Sequence, residues 1–423
     1  MRELKVYIEV NGSQTPVGAI KGNDYRDAVF FYDDEYLSAG ESAPISISLP
    51  FQKESFSPEQ TRNYFESLLP EGFSRKAVAD WIKADEKDYV TILSVLGKEC
   101  LGAVKIVSGD FTSESAYERL SEKRIRELAS EGATSSTQIL METHLSLTGA
   151  TGKVGLYYDE TNDKWFLPKG DAPSTHIVKQ SHVRLKQIVL NEQLCVLAAK
   201  KLGIDTPESF IINKGDGNDE LLFATRRYDR ILSDEKYING LRCPLRLHQE
   251  DFGQALSILP EKKYEKKPSM YMQKMFELIR NYSLNPLEDQ RMLLRSIIFN
   301  YLIGNTDCHV KNYSLLYSAD LKSKRLAPIY DLVATRVYKT TPEMSFYIGG
   351  ELDIEKIDRM SFSKAADEID MTGRMVLNIF DDVAEDFENA LTSAAGELEN
   401  IGFEQATALK NKILKSGGYK NIT

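Results

Sequence analysis

The chain has 423 residues, of which 42% are hydrophobic and 27% are charged. This is an ordinary composition for a globular protein with room for two or three domains. Its net charge of −10 argues against a dedicated nucleic-acid binder, which would usually show a basic surface. The four cysteines lack any C-x-x-C spacing, so neither a disulfide framework nor a zinc site is predicted.

No targeting or membrane segment is predicted. The first ten residues alternate like a strand and lack the apolar region of a signal peptide. The longest apolar stretch, residues 296–304, is less than half of the length that a membrane span requires. We therefore expect a protein of the reducing cytoplasm with no membrane partner.

Residues 1–108 are predicted to form an N-terminal unit. Within it, residues 4–8 and 45–50 have the β-branched, alternating pattern of strands. Residues 58–82 are predicted to be helical with a break at residues 70–72, where Pro, Glu and Gly follow one another.

Residues 109–139 are interpreted as a connecting segment, because the sequence there is rich in Ser, Glu and Lys and favours a helix and a linker. Residues 140–240 then form a strand-rich unit, interrupted by a helix over 187–202 that ends at Gly203, a residue typical of helix C-termini. Strands are predicted at residues 142–147, 154–158, 165–167, 175–179 and 221–228.

Residues 241–423 are predicted to be mostly helical, apart from a β-hairpin within residues 313–330. The whole chain is therefore predicted to be α+β, with a small β-rich lobe followed by a larger helical lobe. This is the layout of a protein kinase, in which ATP binds in the cleft between the lobes.

The strongest chemical signal lies near residue 300. An apolar helical run ends at Gly304 and opens into a polar loop with Asp307 and, five residues on, Asn312; Asp331 follows the predicted hairpin. The Asp-x-x-x-x-Asn spacing matches the catalytic loop of protein kinases. In such enzymes one carboxylate orients and deprotonates the attacking hydroxyl, while an amide and a second carboxylate hold Mg²⁺. Asp307 is therefore predicted to be catalytic, with Asn312 and Asp331 as ligands of Mg²⁺ and contacts of the nucleotide.

The same residues allow two other interpretations of this loop. Asn-Thr-Asp could be only a helix cap and turn, since Asp and Asn favour both. Asp307 and His309 could also ligate a transition metal, although no second histidine cluster supports this. In the kinase interpretation, His309 packs under the loop and Lys311 faces the phosphates. The remaining histidines are dispersed: His144, His176, His182 and His248.

Lys179 ends a short predicted strand, as the ATP-binding lysine of kinases does. Its predicted role is to neutralise charge on the α- and β-phosphates. Glu192, thirteen residues later on the next predicted helix, is its candidate partner. The alternatives are a solvated lysine and an acidic first helical turn that favours the helix dipole.

A glycine-containing segment between two predicted strands could bind phosphate through its backbone N–H groups. It is not a Walker A loop, which needs four residues between its glycines and a helix after the lysine. A simple hairpin turn would use the same residues. The predicted nucleotide contacts in this segment are Thr148, Gly149, Ala150, Thr151, Gly152 and Lys153.

Residues 224–230 close the strand-rich unit where a kinase hinge would offer main-chain groups to adenine. Arg226 and Tyr228 are the predicted hinge contacts. An exposed, charged strand end would explain the same residues equally well. Hinge contacts to adenine are made by the main chain, so the residue types carry little information about them.

Taken together, these stretches resemble the HipA family of bacterial toxin serine/threonine kinases, and the likeness covers nearly the whole chain. The motifs in the second half are residues 146–153 (SLTGATGK), 173–179 (PSTHIVK), 191–192 (NE), 227–230 (RYDR), 248–251 (HQED), 304–312 (GNTDCHVKN) and 326–331 (LAPIYD). Those of the first unit, which resembles the HipA N-terminal subdomain, are residues 46–50 (SISLP), 65–72 (FESLLPEG) and 101–104 (LGAV).

The resemblance implies a kinase-like fold and an ATP- and Mg²⁺-dependent transfer of phosphate to serine. It implies a target among the aminoacyl-tRNA synthetases, glutamyl-tRNA synthetase above all, with growth arrest and persistence as the outcome. It also implies inactivating autophosphorylation of Ser146, because added negative charge there would repel the phosphates of ATP. The implied partner is a HipB-like helix-turn-helix antitoxin, through which the chain would meet operator DNA mainly indirectly.

Two functions from other classes remain open on the sequence. One is a non-catalytic pseudokinase that acts as a corepressor scaffold in an antitoxin–DNA complex. Such a protein would be expected to have lost Asp307, Asn312, Asp331 or Lys179, and all four are present. The other is a small-molecule kinase such as an aminoglycoside phosphotransferase, for which the first hundred residues would be superfluous.

Overall fold

A computed structural model describes residues 2–40, 42–109, 114–130, 139, 152–181, 185–213 and 220–422. The chain divides into two compact units. The first contains residues 1–186, 212–260 and 316–324, and the second contains residues 187–211, 261–315 and 325–423. Helices and strands both contribute extensively, so the predicted α+β class is confirmed. None of the described helices is long and apolar enough to cross a membrane.

The strands are numbered in chain order. They are β1 Arg2–Val10, β2 Ser13–Gly22, β3 Val29–Tyr32, β4 Val104–Val107, β5 Ala116–Arg119, β6 Lys153–Asp159, β7 Lys164–Lys169, β8 His176–Gln180, β9 Ser209–Asn213, β10 Leu221–Arg226, β11 Arg230–Ile238, β12 Leu241–Arg246, β13 Gln249–Asp251, β14 Ser314–Tyr317, β15 Lys324–Leu326, β16 Glu343–Ile348 and β17 Glu351–Asp353.

The α-helices of the described residues are numbered in the same way. They are α1 Asp34–Ser38, α2 Pro58–Phe65, α3 Gly72–Ile82, α4 Tyr89–Leu96, α5 Glu122–Ser130, α6 Ile188–Lys201, α7 Phe252–Ala255, α8 Tyr271–Tyr282, α9 Pro286–Ile303, α10 Arg359–Glu368, α11 Gly373–Glu385, α12 Phe387–Asn400 and α13 Ala406–Ser416. Short 3₁₀ turns lie at Glu66–Leu68, Pro260–Lys262, Val310–Asn312, Thr335–Tyr338 and Gly418–Asn421.

The first unit opens with an antiparallel sheet in the order β3-β2-β1-β4. Asn11 and Gly12 both have positive φ and form the two-residue turn between β1 and β2, as Asn-Gly pairs commonly do in hairpins. The predicted helix with a break is confirmed: α2 begins with a capping box between Ser57 and Gln60, and α3 begins at Gly72.

The predicted strand at residues 45–50 is wrong; only an isolated bridge joins Ser46 and Leu49. Buried side chains take the hydrogen bonds that a neighbouring strand would make. The Glu250 carboxylate accepts from the Ser46 hydroxyl and from the Ile47 amide, and the Tyr32 hydroxyl donates to the Leu49 carbonyl at 2.6 Å. Ile45, Ser46 and Leu49 are buried, so the apolar residues of this segment pack around a turn and not along a strand.

A second sheet of the first unit contains strands in the order β5-β7-β6-β8-β10. Four of the predicted strands are confirmed as β6, β7, β8 and β10, whereas the one predicted at residues 142–147 lies outside the described residues. The connecting segment contains the predicted helix as α5, but it also supplies β5, which pairs antiparallel with β7. The sequence did not predict β5, because Tyr117 is the only buried residue of this edge strand and the charged residues that follow it are exposed.

A buried ionic network joins the first hundred residues to residues next to β8 and β10 and to the antiparallel pair β11 and β12. The Glu99 carboxylate accepts hydrogen bonds from Arg227 at 3.2 Å, Arg230 at 3.2 Å, Arg246 at 3.1 Å and the Ser174 amide at 3.0 Å. Burial opposes ionisation of Glu99, but the three guanidinium groups outweigh it and lower its pKa. The boundary predicted near residue 108 therefore falls inside one compact unit.

The second unit is built mainly of helices around α9. Residues 297–303 of α9 are all buried, as expected of a central helix that is covered on every side. The rings of Tyr301, Phe362 and Phe380 pack together from α9, α10 and α11, with centroids 5.0–6.5 Å apart. The helix predicted over residues 187–202 is confirmed as α6, which is followed by Gly203 in the left-handed region.

The prediction that residues 241–423 are helical apart from one hairpin was incomplete. The hairpin is present as β14 and β15, but β12, β13, β16 and β17 are further strands. Strand β16 is short and largely buried, and its apolar residues could equally have belonged to a helix, because such short runs do not separate the two periodicities.

The first unit also contains a buried carboxyl group whose protonation should affect stability. Glu250 is fully buried and accepts hydrogen bonds from Ser46, Ile47 and Tyr317. Burial raises the pKa of Glu250 to about 7. The folded chain therefore keeps this proton to a higher pH than the unfolded chain, so stability from this group is present below the ordinary glutamate pKa and is lost as the pH rises through about 7.

We expect the free energy of unfolding to fall by about 3 kcal/mol between pH 4.5 and pH 8 through this group. Glu250→Gln should remove that loss, because an amide resembles the protonated acid and retains the acceptor for Ile47 and Tyr317. Urea unfolding at several pH values measures the difference. Glu235→Gln, on the exposed part of β11, is the matched control; an unchanged pH dependence in Glu250→Gln would contradict the expectation.

Candidate active site

The predicted catalytic loop begins where α9 ends. Gly304 adopts a left-handed conformation, with φ +72°, and its amide donates to the carbonyl of Tyr301 at 3.0 Å. A Cβ at this position would lie 2.9 Å from the Cα of Gly417 and 3.0 Å from the Cβ of Arg336. Gly304 is therefore required both by its backbone angle and by the close approach of two other segments.

Asn305 organises the loop, a role that the sequence analysis did not assign to it. Its side-chain amide donates to Asn300 Oδ1 at 2.8 Å and to the carbonyl of Asp331 at 3.0 Å. Its Oδ1 accepts from the amide of Asp307 at 3.2 Å. One buried side chain thus connects the end of α9 to the two segments that carry the predicted catalytic and metal-binding carboxylates.

Asn312 is held beside Asp307. The Nδ2 atom of Asn312 donates to the backbone carbonyl of Asp307 at 2.8 Å, and the amides of His309 and Asn312 continue the turn by donating to Asp307 and His309. Because Nδ2 is engaged within the loop, Oδ1 is the atom of Asn312 that can face a ligand. The structure thus brings Asp307 and Asn312 together as predicted.

Asp331 lies in the left-handed region, with φ +55°, an uncommon conformation for a residue other than glycine. Such outliers persist only where neighbouring contacts hold them. On one side the Tyr330 hydroxyl donates to the Lys311 carbonyl at 3.0 Å. On the other side Asn191 binds both the carbonyl and the amide of Ala334, at 3.1 and 2.9 Å. The backbone around Asp331 is therefore fixed at both ends.

His309 and Lys311 are both buried. Burial lowers the pKa of His309 well below its ordinary value, and the positive charges of Lys263 and Lys311 lower it further. The His309 imidazole is therefore neutral, and its ring meets the ring of Tyr264 edge-on at 5.3 Å. The prediction was that His309 packs under the loop, and the structure buries it there beside Tyr264.

Of the residues predicted to meet the nucleotide, Lys153, Lys179, Arg226 and Tyr228 lie in the first unit. Lys179 on β8 pairs in register with Lys153 on β6, so the two side chains lie on the same face of the sheet. Two cationic side chains on one face can meet the negative charge of a phosphate.

The other members of the predicted set are distributed as follows. Arg226 ends β10 and forms an ion pair of 3.9 Å with Glu160, and the Tyr228 hydroxyl donates to Gln249. Glu192 is buried on α6 in the second unit, and its pairing with Lys179 stays a prediction. Of the glycine-containing segment, Gly152 and Lys153 are described, whereas Ser146, Thr148, Gly149, Ala150 and Thr151 lie outside the described residues.

The groups held around the loop suit phosphoryl transfer. Asp307 is the one exposed residue between positions 297 and 315, so its carboxylate can meet a substrate hydroxyl. Asn312 and Asp331 provide an amide oxygen and a carboxylate, the hard oxygen donors that Mg²⁺ prefers. The donor set therefore fits a divalent metal that accompanies a nucleotide.

Comparison with known families gives two matches. Residues 145–391 match the model of the HipA-like C-terminal domain, which is more than half of the chain. Residues 8–107 match the model of the HipA N-terminal domain.

Individual relatives agree with these matches. The chain is 29% identical over 383 residues to Y4mE of Sinorhizobium fredii, which is named as a candidate kinase; the match covers 87% of this chain and 88% of Y4mE. It is 23% identical over 379 residues to the serine/threonine-protein kinase toxin HipA of Shewanella oneidensis, covering 86% and 84%. A solved complex of HipA, HipB and operator DNA from Shewanella oneidensis contains a chain that matches with a TM-score of 0.80 at 20% identity, covering 98% of this chain and 97% of that one. The predicted kinase-like HipA fold is thereby confirmed.

The position of Asn305 leads to a testable expectation. Asn305→Ala removes a buried side chain that donates to Asn300 and to the carbonyl of Asp331 and accepts from the amide of Asp307, which should reduce the free energy of unfolding by about 2–4 kcal/mol. Urea unfolding measures the loss. Asn378→Ala, on the exposed face of α11, is the matched control and should change stability by less than about 0.5 kcal/mol; a similarly small change in Asn305→Ala would contradict the role of Asn305.

Proposed function

The chain belongs to the HipA family, and on this basis we propose that it is a serine/threonine-protein kinase that transfers the γ-phosphate of ATP to a serine of a target protein. The observation that supports this most is the exposed carboxylate of Asp307 within a loop that is otherwise buried from residue 297 to 315. A side chain that is exposed where all its neighbours are buried suits contact with a substrate rather than a role in packing.

In the proposed reaction, Asp307 orients the serine hydroxyl of the target and takes its proton as the oxygen attacks the γ-phosphorus. The bond between the γ-phosphorus and the bridging oxygen breaks, and ADP leaves with the electron pair. Asn312 supports this step from within the loop, since its Nδ2 holds the backbone of Asp307.

Asn312 Oδ1 and the carboxylate of Asp331 would hold Mg²⁺. When bound, the metal neutralises the charge that develops on the phosphate oxygens. Asn305 would hold the metal ligand Asp331 in a fixed position relative to Asp307, because its side chain contacts both the carbonyl of Asp331 and the amide of Asp307.

For the nucleotide itself, we propose that Lys153 and Lys179 meet the phosphates, since the two residues are register partners on β6 and β8. Gly152 and the residues 148–151 before it would contribute backbone N–H groups. Arg226 and Tyr228 remain the proposed contacts of adenine, and Glu192 the proposed partner of Lys179.

The proposed target is an aminoacyl-tRNA synthetase, with glutamyl-tRNA synthetase as the first to test, and growth arrest and persistence as the consequences. Ser146 is the proposed site of inactivating autophosphorylation. The solved Shewanella complex holds a HipA chain of the same fold together with HipB and operator DNA. We therefore propose a HipB-like antitoxin as the partner of this chain, with operator DNA reached mainly through it.

The kinase proposal is tested by incubating the purified chain with labelled ATP and Mg²⁺. Label is expected on Ser146, and Asp307→Asn should lower its rate of appearance about 10²- to 10⁴-fold, because the proton acceptor is lost while the shape is retained. Asp367→Asn, exposed on α10, makes the same change of charge and should leave the rate unaltered.

Equal labelling in wild type and Asp307→Asn would refute the role of Asp307. A wild-type chain that neither binds nor consumes ATP would refute the enzyme and favour the corepressor scaffold. Phosphoproteomics after brief expression of the chain would identify the target serine, and the proposal of a synthetase fails if the modified proteins are of another class.

A separate expectation concerns binding of the nucleotide. Lys179→Met removes one charge-assisted contact to phosphate and should weaken binding of ATP about 10- to 100-fold, as measured by calorimetry. Lys164→Met, at the start of β7 in the same sheet, is the control and should bind ATP as the wild type does. Unaltered affinity in Lys179→Met would contradict the assignment of this lysine.

A further inference from the structure

Tyr264 contacts the proposed catalytic carboxylate, and no motif pointed to it. Its hydroxyl donates a hydrogen bond to Oδ1 of Asp307, and its ring lies edge-on to the buried ring of His309 at 5.3 Å. Tyr264 is 40% exposed, so it lies at the surface of the second unit beside the exposed Asp307. A tyrosine in this place can control the orientation of the carboxylate.

Tyr264 belongs to a segment without regular secondary structure, residues 263–270, which we name the strap. The strap is anchored by the residue that follows Tyr264. Glu265 is buried, and its carboxylate accepts hydrogen bonds from the amides of Ser269, Tyr271 and Tyr347. A buried carboxylate that receives three N–H groups fixes the backbone on which Tyr264 stands.

The strap and the catalytic loop are tied to the same residue. The amide of Glu265 donates to the carbonyl of Ser345 at 2.8 Å, and the hydroxyl of Ser345 donates to the carbonyl of Thr306 at 2.8 Å. Ser345 lies on β16 and is buried. Ser345 thus binds both Glu265, which follows Tyr264, and Thr306, which precedes Asp307. These hydrogen bonds fix the two backbones and so favour the contact between the phenol and the carboxylate.

We propose that Tyr264 is a positioning residue of the kinase reaction: its hydroxyl fixes the carboxylate of Asp307 in the orientation that accepts the proton of the substrate hydroxyl. This rests on the proposed function. A hydrogen bond to Oδ1 determines the torsion of the carboxylate and hence the direction in which Oδ2 points. Holding a proton acceptor in one orientation before the substrate arrives removes a reorganisation that would otherwise accompany the reaction.

The kinetic test compares wild type with Tyr264→Phe, which keeps the ring against His309 and removes only the hydroxyl. We expect kcat to fall about tenfold with KM for ATP unchanged within about twofold. Tyr271→Phe is the matched control, because the Tyr271 hydroxyl donates at 2.8 Å to the Lys262 carbonyl, just before the strap. It should leave both kcat and KM unchanged.

Two kinetic outcomes would overturn the proposal. A rate in Tyr264→Phe equal to or above that of wild type would show that the hydroxyl is idle or blocks the carboxylate. An equal loss in Tyr271→Phe would show that the effect comes from loosening of the strap.

A second measurement does not depend on activity. The carboxyl carbon of Asp307, assigned in the ¹³C spectrum by its disappearance in Asp307→Asn, should change its chemical shift at one fixed pH in Tyr264→Phe, because the hydrogen bond to Oδ1 is lost, and should keep it in Tyr271→Phe. An unchanged chemical shift in Tyr264→Phe would overturn the proposal even if the chain is a kinase. A changed chemical shift, combined with a wild-type chain that transfers no phosphate, would support the contact while refuting the proposed function.

Discussion

The proposed active site depends on hydrogen bonds between buried side chains and the backbone of the loop that follows α9. Residues 304–312 contain only one short 3₁₀ turn, yet all of them except Asp307 are buried. Buried backbone groups need partners, and here Asn305, Thr335 and Ser345 supply them. The same contacts that stabilise the loop also set where its one exposed carboxylate stands.

The first unit shows the same use of polar side chains in place of regular pairing. The Glu250 carboxylate accepts hydrogen bonds from Ser46 and Ile47, in a turn that has no partner strand. The buried Glu99 carboxylate forms ion pairs with three arginines. Removing one member of such a network leaves uncompensated charge behind, which is strongly destabilising. In both networks a carboxylate binds residues that are more than one hundred positions away in the chain. We infer that the first hundred residues and the later strands of the first unit stabilise one another.

These features bear on the proposed kinase reaction, because phosphoryl transfer requires little covalent chemistry from the protein. Most of the rate comes from placing charges and a proton acceptor correctly. In the proposed function, the carboxylate of Asp307, with the Tyr264 hydroxyl on one of its oxygens, would be placed in this way by its buried loop. Asn191, which holds the backbone just beyond Asp331, would contribute to the same placement from α6.

The sequence by itself determined the helices that have clear end signals and the order of the chemical groups. Helices α6 and α9, the glycine that ends α9, and the placing of Asn312 beside Asp307 were predictable because they depend on residues within a few positions of one another. Tertiary structure alone decided that residues 45–50 form a turn, that β5 joins the second sheet, and that Tyr264 reaches Asp307. In each case the deciding partner lies about 40 to 200 residues away, and neither local propensity nor spacing carries information about a contact made over that distance.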